Sequence, residues 1–409
     1  MDLDHILDRM FTFAGKRKKG RSSIAAMTKA LDILGHPHEG LRSIHVTGTS
    51  GKTSTCYYLQ ALLEASGQHT GLTVSPHIHT LGERVQIGGV PMEAELLCQY
   101  ADQMLTTLTP MRGELTYFEL MICLALWTFA HEKVDYAIVE VGIGGTRDAT
   151  NVLPHTNKVG VIGPIGLDHT EKLGTTIPEI AEQKAGIIPT GGMVFVAEQS
   201  DQALTVIRES ATIRGAQVSV VATPEHMDAS IPSYQNNNWA MASTVVEYLA
   251  NRDGFTAPTT SQMSSLRQVS PPARFEWITS QDHRILLDGA HSPQKVTALV
   301  EALRAHGEQP FPTLATVSRA PDTKVRDTLQ ALAPMVSHLI IPEFILGQGD
   351  KTKVSVPSLQ VARVADSLAI PYTVIPDLTQ AVETLLKNTQ EKLLVTGSLY
   401  LAALVRPML

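Results

Sequence analysis

Short apolar runs alternate with longer stretches of helical periodicity along almost the whole chain. "SIHVTG", from Ser43, is a β-rich run, and the following "TSTCYYLQALLEAS" has the apolar spacing of a helix that Gly67 stops. "TGLTVS" predicts the next strand and "FELMICLALWTFAHE", Phe118–Glu132, a long and largely buried helix. "DYAIVEVG", Asp135–Gly142, is almost wholly apolar, as a central parallel strand should be. "KVGVIGPIG", Lys158–Gly166, and "GMVFVAE", Gly192–Glu198, predict further strands. This alternation implies a mostly parallel sheet with helices on both faces. The pattern lapses over the polar, proline-bearing stretch Ala257–Pro272, the best linker candidate. A second series then follows, with strands in "RILLDGAH", "TLATVS", "HLIIPE", "YTVIPD" and "KLLVTGS". Its length suits a small doubly wound domain. The fold class is therefore α/β: an N-terminal domain over residues 1–268 and a smaller Rossmann-like C-terminal domain over 269–409.

Composition narrows the function classes. The chain has 409 residues, 43% hydrophobic and 18% charged, as in an ordinary globular protein of two domains, three at most. A net charge of −7 argues against broad nucleic-acid binding. One basic run, "KRKKGR" at Lys16–Arg21, reads as a solvated loop or as an arm for an anionic substrate. Cys56, Cys98 and Cys123 form no CxxC pair and no ligand cluster, so neither a disulfide framework nor a zinc site is indicated. No apolar run is long enough to span a membrane, and the acidic, amphipathic start is no signal peptide. The expectation is a cytoplasmic protein without a nucleic-acid or membrane partner.

The candidate chemistry begins in "GTSGKTS", Gly48–Ser54. Strand, glycine turn, lysine, hydroxyl residue and helix is the arrangement that aims backbone amides and a helix N-terminus at phosphate. Lys52 would reach the β- and γ-phosphates and Thr53 would bind Mg²⁺; the bland alternative is a plain strand–helix turn. Glu140 ends a buried apolar strand, where a carboxylate is costly unless it meets a cation. Parallel strands deliver their C-terminal ends to one crevice, so Glu140 is a good magnesium ligand on the same sheet edge as Lys52. Its alternative is a carboxylate capping a helix. "DHT" at Asp168–Thr170 follows another strand and places His169 at the same crevice, although a lone histidine is more often structural. Lys184, in a helix that Gly186 would end, reads by itself as a surface lysine.

Taken together, these segments resemble the folylpolyglutamate synthase/dihydrofolate synthase family, within the Mur ligase superfamily. "GTSGKTS" is close to that family's short loop, and "EVGIGGTRDATN" and "GLDHTEKLGTTIPEIAEQKAGI" follow its central patterns almost throughout. "SPHIHTLGER", "YQNNNWAMA", "ARFEWI", "LDGAHSP" and "VTGSLYLAALVR" resemble further family segments, in the family's order. The resemblance implies an ATP-dependent amide ligase that adds L-glutamate to a dihydropteroate- or folate-type carboxylate through an acyl phosphate. It implies ATP held by Gly48, Thr49, Ser50, Gly51, Lys52, Thr53, Ser54, Asn238, Arg274 and Asp288. Two Mg²⁺ ions would be held by Thr53, Ser75, Glu140 and His169. Lys52, Lys184, His169 and His291 would be catalytic, with Lys184 at the position often carbamylated. Arg84, Asp148, Ala149 and Ser398 would face the substrates. The site would lie between the domains of a monomer and be completed by closure.

The departures from the family pattern fall on the substrate side. Leu81 replaces an aromatic residue, Ser50 and Ser292 replace asparagines, and Arg147 comes one place late in "GGTRDATN". "SRAPDTKV" is a degenerate form of a family segment, and "EFILGQGDKTKVSVP" lacks the usual proline-arginine-alanine segment. The runner-up reading is therefore a ligase of the same chemistry acting on a non-folate carboxylate. A non-catalytic nucleotide-binding scaffold is a third, and the joint presence of Lys52, Glu140, His169 and Lys184 argues against it.

Overall fold

The structure is a computed structural model that describes residues 3–16, 21–225, 228, 231–348 and 351–409. The chain divides into two compact units, Met1–Met227 with Gln235–Val269, and Asp228–Tyr234 with Ser270–Leu409.

The first unit is built on an eight-stranded sheet. Its strands are β1 (Ser43–Thr47), β2 (Thr70–Thr73), β3 (Gln86–Ile87), β4 (Val90–Pro91), β5 (Tyr136–Glu140), β6 (Lys158–Ile162), β7 (Met193–Ala197) and β8 (Gln217–Val221), in the order β4-β3-β2-β5-β1-β6-β7-β8. The six strands from β2 to β8 in that order pair in parallel, and β3 and β4 close one edge antiparallel. Every residue of β1 and β5 is buried, because helices cover both faces. The two-residue period sorts β5 cleanly. Tyr136 and Ile138 pack with Leu59, Leu62 and Leu63 of the helix Lys52–Ala65. Ala137 and Val139 pack with Leu120, Leu124 and Phe129 of the helix Tyr117–His131. Glu140, next in the alternation after Ile138, thus falls on the face of the helix Lys52–Ala65.

The stretch expected as a linker, Ala257–Pro272, contains a helix, Thr260–Leu266, that starts with a reciprocal Thr259–Gln262 capping box. Its Met263 and Leu266, and Val269 beyond, pack on the first unit's core. Polar composition hid an element whose few apolar residues all face one way. Of the basic run Lys16–Arg21, residues 17–20 lie outside the described residues. Arg21 makes a two-pronged contact with the buried Glu119, at 2.9 and 2.8 Å. Burial alone would raise the Glu119 carboxyl, but Arg21 and the Thr116 amide hold it below its usual range. Arg21 therefore serves the core of the first unit.

The second unit carries β9 (Glu276–Ser280), β10 (His283–Leu287), β11 (Phe311–Ala315), β12 (Val336–Ile341), β13 (Ile345–Gln348), β14 (Lys351–Val354), β15 (Tyr372–Val374) and β16 (Lys392–Thr396). Six form one sheet, β15-β12-β11-β16-β10-β9, parallel except for β9 at its edge. β13 and β14 form a separate antiparallel hairpin. The sheet's apolar side chains Leu286, Leu339, Ile341 and Leu394 pack with Leu299, Leu329 and Val361 of the flanking helices. Among the described residues, no helix is long and apolar enough to cross a membrane.

Candidate active site

In the first unit, β2, β5, β1 and β6 lie side by side, and their C-terminal ends bring four loops together. The loop after β1 enters the helix Lys52–Ala65 through Gly51, which takes a left-handed conformation with φ of 78°. Glycine adopts that conformation without penalty. No side chain caps this helix start, so its first amides face outward as phosphate donors would. Lys52 Nζ donates to the Gly48 carbonyl oxygen at 2.9 Å. Lys184 Nζ donates to the same oxygen at 2.8 Å. Two ammonium groups on one acceptor make a concentrated positive spot at the mouth of the loop. Lys184 is only 3% exposed, so the reading of a surface lysine is overturned. The helix Ile177–Ala185 turns its last residues toward the loop, and the sequence alone carries no sign of that direction.

Glu140, also 3% exposed, accepts from Thr53 Oγ1 at 2.9 Å and from the Ser75 amide at 3.1 Å. Residues of three neighbouring strand ends thus meet around one carboxylate. Its chemistry is a test of the metal. A carboxylate and hydroxyl groups are hard oxygen donors, which suit Mg²⁺. No cluster of three or more His, Cys, Asp or Glu side chains is placed to hold a metal ion among the described residues. One carboxylate supplemented by hydroxyls and substrate phosphates is an ordinary magnesium arrangement. His169 is 46% exposed on its side chain and stands in a left-handed conformation, φ 51°, at the start of the short helix Thr170–Leu173. Partial burial is the largest influence on its imidazole and lowers its pKa, against the pull of Asp168 and Glu171. The ring therefore tends to the neutral form that can ligate a metal.

Other residues expected at the site are used in the framework. Thr49 Oγ1 donates to Gly166 O and accepts from Gly166 N, both at 3.0 Å, and so ties the loop to the turn after β6. Ser54 is buried and Ser50 partly exposed. Asp148 accepts from the amides of Ile143 and Thr150 and from Thr150 Oγ1 at 2.9, 3.0 and 2.6 Å, so both its oxygens brace its own loop. Burial raises its pKa despite those bonds. Ala149 packs in the core. Arg84 Nε donates to His77 Nδ1 at 2.9 Å, and its guanidinium lies 5.8 Å from the centre of the Tyr117 ring. Burial, then Arg84, lowers the His77 pKa to about 3, so that ring stays neutral. Leu81 is buried in the core beside Val85 and Met92, so that departure from the family pattern is a packing change. Asn238 Nδ2 donates to Gln235 at 3.0 Å, and its Oδ1 is pressed against Gly51.

In the second unit, Asp288 accepts from the amides of Phe275 and Ala290, both at 2.8 Å. Burial raises its pKa, with Arg274 pulling the other way. Arg274 Nη1 donates to Ala273 O at 3.2 Å. His291 Nδ1 is 2.8 Å from Gly289 O, and its Nε2 is 3.3 Å from Lys295 Nζ. Ser398 Oγ caps its helix through the Tyr400 amide at 3.2 Å and lies 2.9 Å from Ser318 Oγ.

The sequence reading missed a buried relay beneath the loops. His45 Nε2 sits 2.8 Å from Thr150 Oγ1, which in turn donates to Asp148. Thr47 Oγ1 donates to Gly144 O at 2.7 Å. The one available signal was a histidine between the apolar Ile44 and Val46 at the centre of a buried strand.

The Mur ligase middle domain matches residues 46–253, and the glutamate ligase domain of Mur ligases matches 273–399. The folylpolyglutamate synthase of Lacticaseibacillus casei is 30% identical, over 93% of this chain and 92% of its own length. The chain belongs to the folylpolyglutamate synthase/dihydrofolate synthase family of Mur ligases. It is an ATP-dependent ligase of that family. A probable bifunctional folylpolyglutamate synthase/dihydropteroate synthase of Halobacterium salinarum is also 30% identical, over 95% of this chain, which spans 49% of that protein. A solved complex of a folylpolyglutamate synthase with AMPPCP matches the fold with a TM-score of 0.80 and 27% identity, covering 100% of this chain and 99% of the other.

Proposed function

We propose that this chain uses ATP to join L-glutamate to the carboxylate of a dihydropteroate- or folate-type acid. The observation that carries the reading is the convergence of Lys52, Lys184 and the Thr53–Glu140 pair at the uncapped start of one helix. Phosphoryl transfer needs mainly positioning and charge neutralisation. Lys52 and Lys184 hold the negative charge of the phosphoryl group, and the amides at the helix start orient it. A carboxylate oxygen of the acid attacks the γ-phosphorus, and ADP leaves. The glutamate amine then attacks the acyl carbon and loses a proton. Collapse of the tetrahedral intermediate expels inorganic phosphate and leaves the amide. Mg²⁺, when bound, neutralises charge on the phosphates; Thr53, Ser75 and Glu140 are the residues that would hold it, with His169 toward a second ion.

The reading extends to Asn238, Arg274 and Asp288 as nucleotide contacts. Arg84, Asp148, Ala149, His291 and Ser398 stand on the side of the acid and the amino acid. A carbamate on Lys184 would exchange that ammonium for an anion, which would then serve Mg²⁺ and leave Lys52 to meet the phosphate; a cytoplasmic monomer belongs to the same reading, and light scattering would measure its mass. The deciding experiment offers dihydropteroate, tetrahydrofolate and unrelated carboxylic acids, each with glutamate and Mg-ATP. Phosphate release and amide formation are expected only with a pterin-bearing acid. Ligation of an unrelated acid alone would replace the folate reading and leave the ligase reading standing.

A further inference from the structure

Three adjacent strands of the second unit, β11, β16 and β10, run parallel and end together. Their C-terminal ends lead to Ser318 and Arg319, to Ser398, and to His291. Ligands of open α/β sheets gather at this edge. The next strand, β12, leads into the β13–β14 hairpin, which folds back against the same edge. The Arg319 amide donates to Val354 O at 3.0 Å, and the Val356 amide donates to Val317 O at 2.9 Å. Ser318 and Ser355 form an antiparallel bridge between the hairpin's base and the end of β11. This register brings Lys353, on β14, to 5.4 Å from the centre of the Tyr400 ring. Tyr400 is the second residue of the helix Leu399–Val405, which Ser398 caps.

An ammonium over an aromatic face, partly withdrawn from water, is a preorganised cation. Among the described residues, Lys353 and Arg319 make no ion pair with a carboxylate. The Lys353 ammonium at Tyr400, the exposed Arg319 that follows Ser318 in the chain, and the hydroxyl pair Ser318–Ser398 are the kinds of donor a carboxylate requires. The hairpin also stands where the sequence departs from the family's proline-arginine-alanine segment. We propose that Lys353 is a specificity-determining residue that binds a carboxylate of the incoming amino acid, with Arg319 as the second cation of that subsite. This rests on the ligase reading above.

The test uses the full chain, Mg-ATP and an acid that the wild type ligates. Lys353→Met keeps an apolar chain against Tyr400 and removes the charge; Lys353→Arg keeps the charge. Loss of one charge-assisted contact should raise KM for glutamate about tenfold or more in Lys353→Met. KM for ATP and for the acid should stay near the wild-type values, and Lys353→Arg should recover most of the loss. Arg319→Met should raise KM for glutamate in the same direction. Lys353→Gln gives a second neutral variant should the methionine disturb the hairpin, with melting curves matched to the wild type. An unchanged KM for glutamate in the neutral variants, or a rise confined to KM for the acid, would overturn the proposal. Absence of any ligation by the wild type would instead remove the ligase reading, and this inference with it.

Discussion

Lys184 and Lys158 are both buried lysines, and the difference between them is what they touch. Lys184 donates to the Gly48 carbonyl beside Lys52, at the place where phosphate charge would arrive. Lys184→Ala should therefore lower turnover by about a hundredfold or more, the usual cost of removing a preorganised electrostatic group. Partial restoration by short carboxylates would mark a carbamate, and an unaffected rate would show that Lys184 only packs. Lys158 is 2% exposed at the start of β6, and its one side-chain hydrogen bond among the described residues is a long one, 3.5 Å, from Nζ to Asn151 Oδ1. Burial, then Arg214, lowers its pKa to about 7. The folded value lies below the usual lysine value near 10.4, so the unfolded chain binds more protons between those limits. Stability should thus rise as the pH climbs from about 7 toward 10, and the burial cost should be fully present below 7. Lys158→Met should stabilise the first unit by on the order of 2 kcal/mol at pH 6, with the advantage shrinking above pH 8. Denaturant melts of both proteins across that range check the sign.

At the scale of the element, the loop before the helix Lys52–Ala65 is fixed on three sides. Thr49 is tied to Gly166, both lysines to Gly48 O, and Gly51 lies against Asn238. A Cβ at Gly51 would overlap Asn238 Oδ1. The left-handed backbone adds a penalty of about 1–2 kcal/mol for any other residue. Gly51→Ala should therefore raise KM for ATP and weaken nucleotide binding while the sheet stays intact, as calorimetric titration with AMPPCP and Mg²⁺ would show. The strand–loop–helix unit was legible in the sequence because β1 is a short β-rich run, a glycine turn leads straight to a lysine and a hydroxyl residue, and the helix has a clear period. Glu140 was legible because a carboxylate closing an apolar strand needs a partner, and Thr53 and Ser75 supply donors to it. Lys184 was illegible by pattern because the direction of its helix's last turn is set by tertiary packing. The helix Thr260–Leu266 and the β13–β14 hairpin were missed for related reasons. One has a polar composition with only a narrow apolar stripe, and the other is a short polar hairpin that does not enter the main sheet.

At the scale of the whole molecule, each unit has its own core, and all the residues of the phosphate loop, together with Glu140, His169 and Lys184, belong to the first. A chain of two such units need not unfold as one cooperative block. Calorimetry is expected to resolve two transitions, the larger from the first unit, which holds most of the residues. A ligand that binds one native unit raises the stability of that unit alone, by about 2.7 kcal/mol at a hundredfold excess over its Kd. For a unit of this size that corresponds to roughly 5–10 °C. AMPPCP with Mg²⁺ should move the transition of the first unit by that amount and the other by less, because Lys52, Thr53 and Glu140 are all in the first unit and the proposed reading takes only Arg274 and Asp288 from the second. Lys52→Ala should remove the shift without lowering the starting transition, since the lysine's hydrogen bond is to a loop carbonyl and its side chain is only partly buried. A nucleotide shift that survives in Lys52→Ala would place phosphate recognition elsewhere. Equal movement of both transitions would show that residues of the second unit hold the nucleotide as strongly as the loop does.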